Sequence, residues 1–264
     1  FTSELDSLNR EPNTFKFNNL STGDPNIYLW SFGDGASGST RDALHRFLVD
    51  GTYQVCLRIS KEIQGVTVCS DSLCIPVETA KYFNLGGHLF AGDFPINNPV
   101  STGDTGTAYL YRKDGSRLIP YDTTLFTQLG YYAFPNILNG SYVVRAELTP
   151  GSAHYGGYFP TYLPREMKWQ DSSPMMLTDS SSYASHVSLL PMAEAPSGPG
   201  MIKGNVVTSG SAGNSDEISH AEVILYDSRM DPLLFTESGQ TGRFEIDNLT
   251  YGAYFLYVEI PGRY

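Results

Sequence analysis

The sequence is short of the residues that carry reactive chemistry. Cysteine occurs 3 times and histidine 5 times in 264 residues. No two cysteines stand in C-x-x-C spacing, and His45, His88, His154, His186 and His220 never fall four apart, so zinc-ligand spacing is missing and no metal site is expected. Basic residues are outnumbered, 17 against 28 acidic, for a net charge of −11. Phosphate backbones and anionic lipid surfaces are held by basic patches, so neither nucleic acid nor membrane insertion is expected. Apolar runs stop well short of the roughly 20 residues that a membrane span needs. Helical periodicity is equally scarce, and only "RDALHRFL" (Arg41–Leu48) has mixed helical character.

Nucleotide and hydrolase motifs are missing as well. "GDGASGST" has neither the lysine nor the following helix of a phosphate loop. "GASGS" and "SGSAG" are each one position off a nucleophile elbow and lie in loop sequence. No catalytic or cofactor-binding residue is therefore expected. The acidic stretches "NNPVSTGD" (97–104) and "GNSDEIS" (213–219) lack helix–loop–helix calcium spacing, which leaves weak surface calcium as the one cation reading.

What is abundant is strand and turn material. Aromatics are 13% of residues, with 18 Tyr and 14 Phe, alongside 26 Gly and 16 Pro. Segments such as "YQVCLRIS", "GTAYLYRK", "SYVVRAEL", "GRFEIDNL" and "GAYFLYVEI" alternate with period two between Gly, Asn, Asp and Pro, as strands of antiparallel sandwiches do. Two of them repeat. "GYYAFPNILNGSYVVRAEL" from Gly130 aligns without a gap with "GRFEIDNLTYGAYFLYVEI" from Gly242, pairing Asn136 with Asn248, Gly140 with Gly252 and Tyr142 with Tyr254. In this motif alternating apolar residues enter the core and Asn opens a turn. Gly is expected at positive φ, and Tyr starts the next strand with its ring inward.

Breaks in composition divide the chain into 1–79, 80–192 and 200–264, with 193–199 in the Pro/Gly-rich "LPMAEAPSGPG" as a linker. On the repeated motif, the second and third segments resemble the prealbumin-like fold of carboxypeptidase regulatory-like domains and of B-type adhesin repeats. Phe1 opens the chain with no initiator Met, and the third repeat stops at "PGRY", so the chain reads as a window of a longer tandem array.

In the first segment, "YLWSFGDGASGS" is followed by "HRFLVDGTYQVCL". Tyr28, Trp30 and Phe32 alternate onto one face. Gly33 and Gly35 fit turn dihedrals around Asp34, and Tyr53 follows the Gly51–Thr52 turn. With Asn19, Ser21, His45 and Phe47 in order, this resembles a PKD domain, a small immunoglobulin-like sandwich. Ser31 stands where that family commonly has Asp after the Trp, which weakens a cation role there. If Val55 and Leu57 face the core, Cys56 and Cys74 share the opposite face of a hairpin and are expected to form a disulfide. That implies an oxidising, extracellular compartment and leaves Cys69 without a partner in this chain.

The fold class is thus all-β, tandem immunoglobulin-like and prealbumin-like β-sandwiches. The leading expectation is a non-enzymatic structural or adhesive rod, secreted or at the cell surface, whose partners are other copies or domains of the same large protein. The alternative is an accessory region of a secreted enzyme. "HYGGYFPTYLPREMKW" offers Tyr155, Tyr158, Phe159, Tyr162 and Trp169 for stacking on surface glycans, or else packs over a sandwich edge. "D-S-L" and "D-T-T" resemble a bacterial O-glycosylation sequon of the Bacteroidetes phylum, which would place glycans on Ser7, Ser72 or Thr123.

Overall fold

A computed structural model describes residues 1–6, 11–97, 102–126, 128–193, 197–208 and 216–260. Ser7, part of both acidic stretches and part of the linker lie outside the described residues. The protein is all-β and forms two compact units, Phe1–Tyr82 and Phe83–Tyr264. Among the described residues no helix is long and apolar enough to cross a membrane.

The first unit contains β1 (Thr2–Leu5), β2 (Thr14–Asn18), β3 (Ile27–Ser31), β4 (Ser37–Gly38), β5 (Ala43–Arg46), β6 (Thr52–Ile63) and β7 (Val66–Glu78). They form two antiparallel sheets, β1-β2-β5 and β4-β3-β6-β7. Phe15, Phe17, Trp30, Phe32, Phe47, Val55, Leu57 and Val77 fill the space between them. Period-two alternation explains the arrangement: Trp30 and Phe32 point inward, while Leu29 and Ser31 are exposed. Trp30 also finds a polar partner, its Nε1 donating to the Thr40 carbonyl at 2.8 Å. Burying that ring contributes on the order of 3–5 kcal/mol. The helical character of Arg41–Leu48 is overturned. Ala43–Arg46 is a strand paired with β2, because Ala43, His45 and Phe47 face the core in alternation with exposed Leu44.

The second unit begins with β8 (Tyr82–Ala91), β9 (Phe94–Pro95), β10 (Gly106–Asp114), β11 (Arg117–Leu125), β12 (Tyr131–Leu138) and β13 (Gly140–Leu148). Five short strands follow: β14 (Tyr158–Phe159), β15 (Thr161–Tyr162), β16 (Met175–Leu177), β17 (Val187–Ser188) and β18 (Leu190–Pro191). One sheet runs β11-β10-β13-β15 with β16 also on β13, and the facing sheet runs β12-β8-β17. Their shared core includes Leu85, Leu110, Phe134, Tyr142, Val144 and Val187. Next come β19 (Gly200–Asn205), β20 (Glu222–Tyr226), β21 (Pro232–Glu237), β22 (Arg243–Leu249) and β23 (Phe255–Glu259). Sheets β19-β22 and β21-β20-β23 enclose a second core of Val223, Leu225, Phe244, Ile246 and Leu249. The sequence repeat maps strand for strand, β12 onto β22 and β13 onto β23.

The turn before the repeated tyrosine differs from the sequence expectation. Asn136 (φ 55°) and Asn248 (φ 62°) take the positive-φ position, not Gly140 or Gly252. Asn tolerates the left-handed region better than other non-glycine residues. The glycines serve a second purpose. A Cβ at Gly140 would lie 3.3 Å from the Tyr142 ring, so the missing side chain lets the ring fold back over the backbone. The Tyr142 hydroxyl then donates to the Leu138 carbonyl at 2.8 Å. Tyr254 donates to Thr250 and Tyr53 to Val49, each at 2.8 Å, so the Gly-x-Tyr sequences at Gly51, Gly140 and Gly252 close the same corner.

Candidate functional site

β13 and β20 are buried on both faces along most of their length, which places each between two layers. The inward residues of β13 are Tyr142, Val144 and Ala146, all in the core. Its outward residues are Val143 and Arg145, both buried, with Glu147 beside them. On β20 every residue from Glu222 to Tyr226 is buried. The outward faces of these two sheets meet in a joint inside the second unit. Its apolar part holds Phe159, Ile224 and Tyr226, with Met167, Leu190, Met192, Phe235 and Tyr257 packed against them.

Its polar part is built on Arg145. The guanidinium Nη2 pairs with Glu147 at 2.7 Å and with Glu222 across the joint. The group lies 5.1 Å from the centre of the Tyr109 ring, whose hydroxyl donates to Glu147 at 2.5 Å. Burial opposes the charge on Arg145, but the surrounding Glu147, Tyr162 and Tyr111 outweigh it and raise its pKa. Beyond it, Tyr257 donates to Glu259 at 2.6 Å and Tyr162 reaches the same carboxylate at 3.5 Å. Burial raises the Glu259 pKa, partly offset by hydrogen bonds from Tyr257, the Trp169 backbone and Tyr162. Lys168 sits 4.2 Å over the Tyr257 ring. A cleft of about 320 Å³ opens here, lined by Tyr109, Tyr111, Arg145, Glu147, His220, Glu222 and Glu237. In it Arg145 pairs with Glu147 and Glu222, and the Tyr109 hydroxyl is bonded to Glu147.

This joint changes the reading of the aromatic segment. Phe159 and Tyr162 are buried in it and present no face to a sugar ring. Tyr158 and Trp169 are half-buried, packed on apolar clusters, and only Tyr155, 50% exposed, is open to solvent. The five residues therefore do not form one stacking platform. Sequence density of aromatics did not reveal which ones have a neighbour layer.

A second polar cluster ties the loop after β13 to the loop before β10. Ser152 Oγ donates to Asp104 Oδ1 at 2.6 Å, and the His154 backbone N–H donates to the same oxygen at 2.9 Å. His154 Nδ1 lies 2.8 Å from Oδ2, and Thr102 adds a further hydrogen bond. Burial pushes the Asp104 pKa up, but these bonds hold it at about 2. Ser152 and His154 both bond Asp104 rather than each other, so no proton relay from serine to histidine is formed.

In the first unit Gly33 (φ 84°) and Gly35 (φ 97°) make the turn around Asp34. A Cβ on Gly33 would lie 2.8 Å from the Gln54 carbonyl oxygen. Asp34 Oδ1 accepts from the Ala36 N–H at 3.0 Å and Oδ2 meets His45 Nε2 at 2.7 Å. His45 in turn stacks on Phe32 at 4.0 Å. Both carboxylate oxygens are thus engaged inside the turn. Phe47 stacks on Tyr53 at 4.3 Å, completing the aromatic row. Cys56 and Cys74 lie directly opposite in the β6–β7 pairing and are joined, S–S 2.02 Å. Cys69 is exposed and free. Ser72 and Thr123 are exposed on strands β7 and β11, each with its N–H bonded to the preceding aspartate at 2.8 Å.

These features define a multi-sandwich all-β chain with a fixed joint. Comparison with known proteins places one part of it. Residues 5–77 match the PKD domain family. No curated protein matches the chain. Among solved structures, the chain is similar to the Bacillus anthracis TIE protein at 10% identity and a TM-score of 0.29, over 97% of this chain and 50% of that one. It thus spans half the length of that relative. It is similar to a streptococcal ancillary pilin at 13% identity and a TM-score of 0.30, over 86% and 72%. It is also similar to carbohydrate-binding modules of the β-sandwich superfamily at 13% identity and a TM-score of 0.24, over 94% and 78%.

Proposed function

We propose that the chain is a non-enzymatic structural or adhesive segment of a larger extracellular or cell-surface protein. Its sandwich domains, 1–79, 80–192 and 200–264, set spacing and present surfaces to other copies or domains of the same protein. The observation that carries this reading is the joint. A buried arginine, two glutamates and a set of tyrosines hold one sheet pair against the next, as suits a segment that transmits force rather than one that opens for a substrate. Leaving a buried ion pair half-made is strongly unfavourable, so such a joint resists bending and slippage. The Cys56–Cys74 disulfide supports an oxidising compartment, and the match to PKD over residues 5–77 is compatible with it. The second and third domains are read as prealbumin-like on their shared motif. No resident cofactor or metal is part of this function.

Protease shaving of intact source cells, followed by imaging of the released or native material, tests the reading. Peptides of this chain in the shaved fraction and elongated multidomain particles are expected. Recovery only after lysis, or a full-length gene dominated by a catalytic domain, would overturn it in favour of an intracellular or enzyme-accessory role.

A further inference from the structure

Two clefts in the second unit treat their polar groups differently. In the joint, Arg145 is bonded to Glu147 and to Glu222. A second cleft, of about 310 Å³, opens where the arm that follows β13 (152–192) meets the turn between β8 and β9. Asp93, Tyr158, Arg165, Ser188, Leu189 and Pro191 line it. Among the described residues no ion pair joins Asp93 to Arg165, and no hydrogen bond engages either of those side chains or the hydroxyls of Tyr158 and Ser188. In a chain with 28 acidic and 17 basic residues, an arginine left without a carboxylate is open to an anion from outside.

The backbone under these side chains is fixed. Asp93 stands in the turn after β8, beside Gly92 at φ 76°, and the pairs Phe90–Pro95 and Ala91–Phe94 close that hairpin. β14 carries Tyr158 and pairs with β18 at Pro191. Ser188 pairs in parallel with Phe90, and its N–H donates to the Pro164 carbonyl at 2.9 Å. Tyr162 and Glu166 exchange backbone hydrogen bonds at 2.7 and 2.8 Å across the turn that carries Arg165. Tyr158 is half-buried and packs on the first core of this unit. Four chain segments thus bring a guanidinium, a carboxylate, two hydroxyls and an aromatic ring to one concavity. Backbone set in advance lowers the cost of ordering on binding, and a concave site with a few convergent polar groups is the form that ligand sites take.

We propose that this cleft is a subsite for an acidic sugar residue, a hexuronate of a surface glycan. Arg165 takes the carboxylate, since a guanidinium can give it two parallel hydrogen bonds. Asp93 accepts from ring hydroxyls, and the Ser188 hydroxyl bonds another. The C–H face of the sugar packs on Tyr158, the one member of the aromatic segment that lines the cleft. The acid and the base share this cleft without meeting, so the occupant needs an anion for one and hydroxyl donors for the other. A hexuronate carries both on a single ring. The volume is at the lower end of the roughly 300–1,000 Å³ of ligand sites, room for about one or two sugar rings. The inference rests on the adhesive side of the proposed function and names its ligand class.

The test follows backbone amide shifts of the intact chain on titration with methyl β-glucuronide and, separately, with methyl β-glucoside, which lacks the carboxylate. Saturable shifts are expected at 92–93, 158, 165 and 188–191, with the glucoside weaker by about tenfold for want of one charge-assisted pair. Arg165→Ala, at an exposed position, should erase the difference between the two sugars, and Arg165→Lys should restore part of it. Asp93→Asn, also exposed, should weaken both sugars alike. No saturable shift with the glucuronide, equal affinity for the two sugars, or a preference that survives Arg165→Ala overturns the inference. So does competition by sodium acetate at the same concentration as the glucuronide, which would make this a plain anion site. A dipeptide with free termini that binds there more tightly than the glucuronide overturns it in favour of a peptide end. A chain recovered only from lysed cells that still selects the glucuronide would sink the adhesive reading alone, and a displayed chain that takes neither sugar would sink this inference alone.

Discussion

Strands β13 and β23 share a sequence motif and a corner but not an environment. Each follows an Asn in the left-handed region, a Gly under a tyrosine ring, and a hydroxyl bonded to the carbonyl four residues back. The corner is therefore local: it forms wherever Asn-x-x-x-Gly-x-Tyr is present. Burial is not local. β13 is enclosed on its core face by the arm that follows it and on its outer face by the joint, whereas on β23 the aligned Leu256 and Val258 are 43% and 38% exposed. Even the joint treats the two strands unequally, because the position of Arg145 on one is that of Tyr257 on the other, while Glu147 aligns with Glu259. One strand supplies the cation and its neighbour supplies an aromatic and a second acid.

The largest test removes that cation. Arg145→Ala would leave Glu222 buried without its partner, and loss of one member of a buried pair costs about 3–5 kcal/mol. Denaturant unfolding should show the β20–β23 sheet pair losing its transition with that of β8–β18, or separating from it. Arg145→Met, which keeps the stem volume but no charge, combined with Glu222→Gln should recover much of the loss. If Arg145→Ala is as stable as the parent, the joint is not what holds the two sheet pairs.

The comparison can also be collapsed by acid. Asp104 anchors the start of the covering arm through Ser152 and His154, and its carboxyl is held at about 2 from an ordinary 3.8. A depressed folded-state pKa contributes stability above the unfolded value and loses it as pH falls toward the folded one. The contribution is about 2 kcal/mol at neutral pH. It should fade between roughly pH 4 and pH 2, and exchange of the β13 amides should then approach that of β23. Asp104→Asn should abolish that pH dependence. A parent chain whose β13 protection is unchanged down to pH 2 would refute the anchoring role.

How much of this could be read beforehand follows from the same physics. Period two gave the strands, and the gapless alignment of 130–148 with 242–260 gave the repeat, because both are local patterns. The Gly-x-Tyr corner was visible but its glycine was misread, since the left-handed residue turned out to be the Asn. The disulfide partners were legible because alternation assigns faces, and Cys56 and Cys74 fall opposite each other. The joint went unseen, although a signal existed. "YVV" at the start of β13 and "VILY" in β20 are apolar at consecutive positions, the pattern of strands buried on both faces. For the same reason the sequence left Phe159 and Tyr162 open between sugar stacking and packing over a sandwich edge: a sequence shows that a side chain is apolar, not which layer covers it.

Truncating the aligned core residues grades the cover itself. Val144→Ala removes methyl groups from a fully enclosed site and should cost about 2 kcal/mol. Leu256→Ala removes more carbon yet should cost about 1 kcal/mol, because part of that side chain is already in water. Thermal unfolding of the two variants should therefore rank opposite to the number of atoms lost. Equal losses would mean that β23 is enclosed as β13 is.

The smallest effect separates the corner from its cover. Tyr142→Phe and Tyr254→Phe each delete one hydroxyl whose acceptor is a backbone carbonyl four residues upstream. A typical hydrogen bond contributes about 1 kcal/mol net, and more of that is lost where water cannot replace the donor. Tyr142 is fully enclosed and its bond to the Leu138 carbonyl is part-buried, so most of that ~1 kcal/mol is expected to be lost. Tyr254 lies at a partly wet edge, where water can reach the Thr250 carbonyl, so about half of that is expected. Equal costs for the two variants would show that the corner, not the cover above it, sets the strength of the bond.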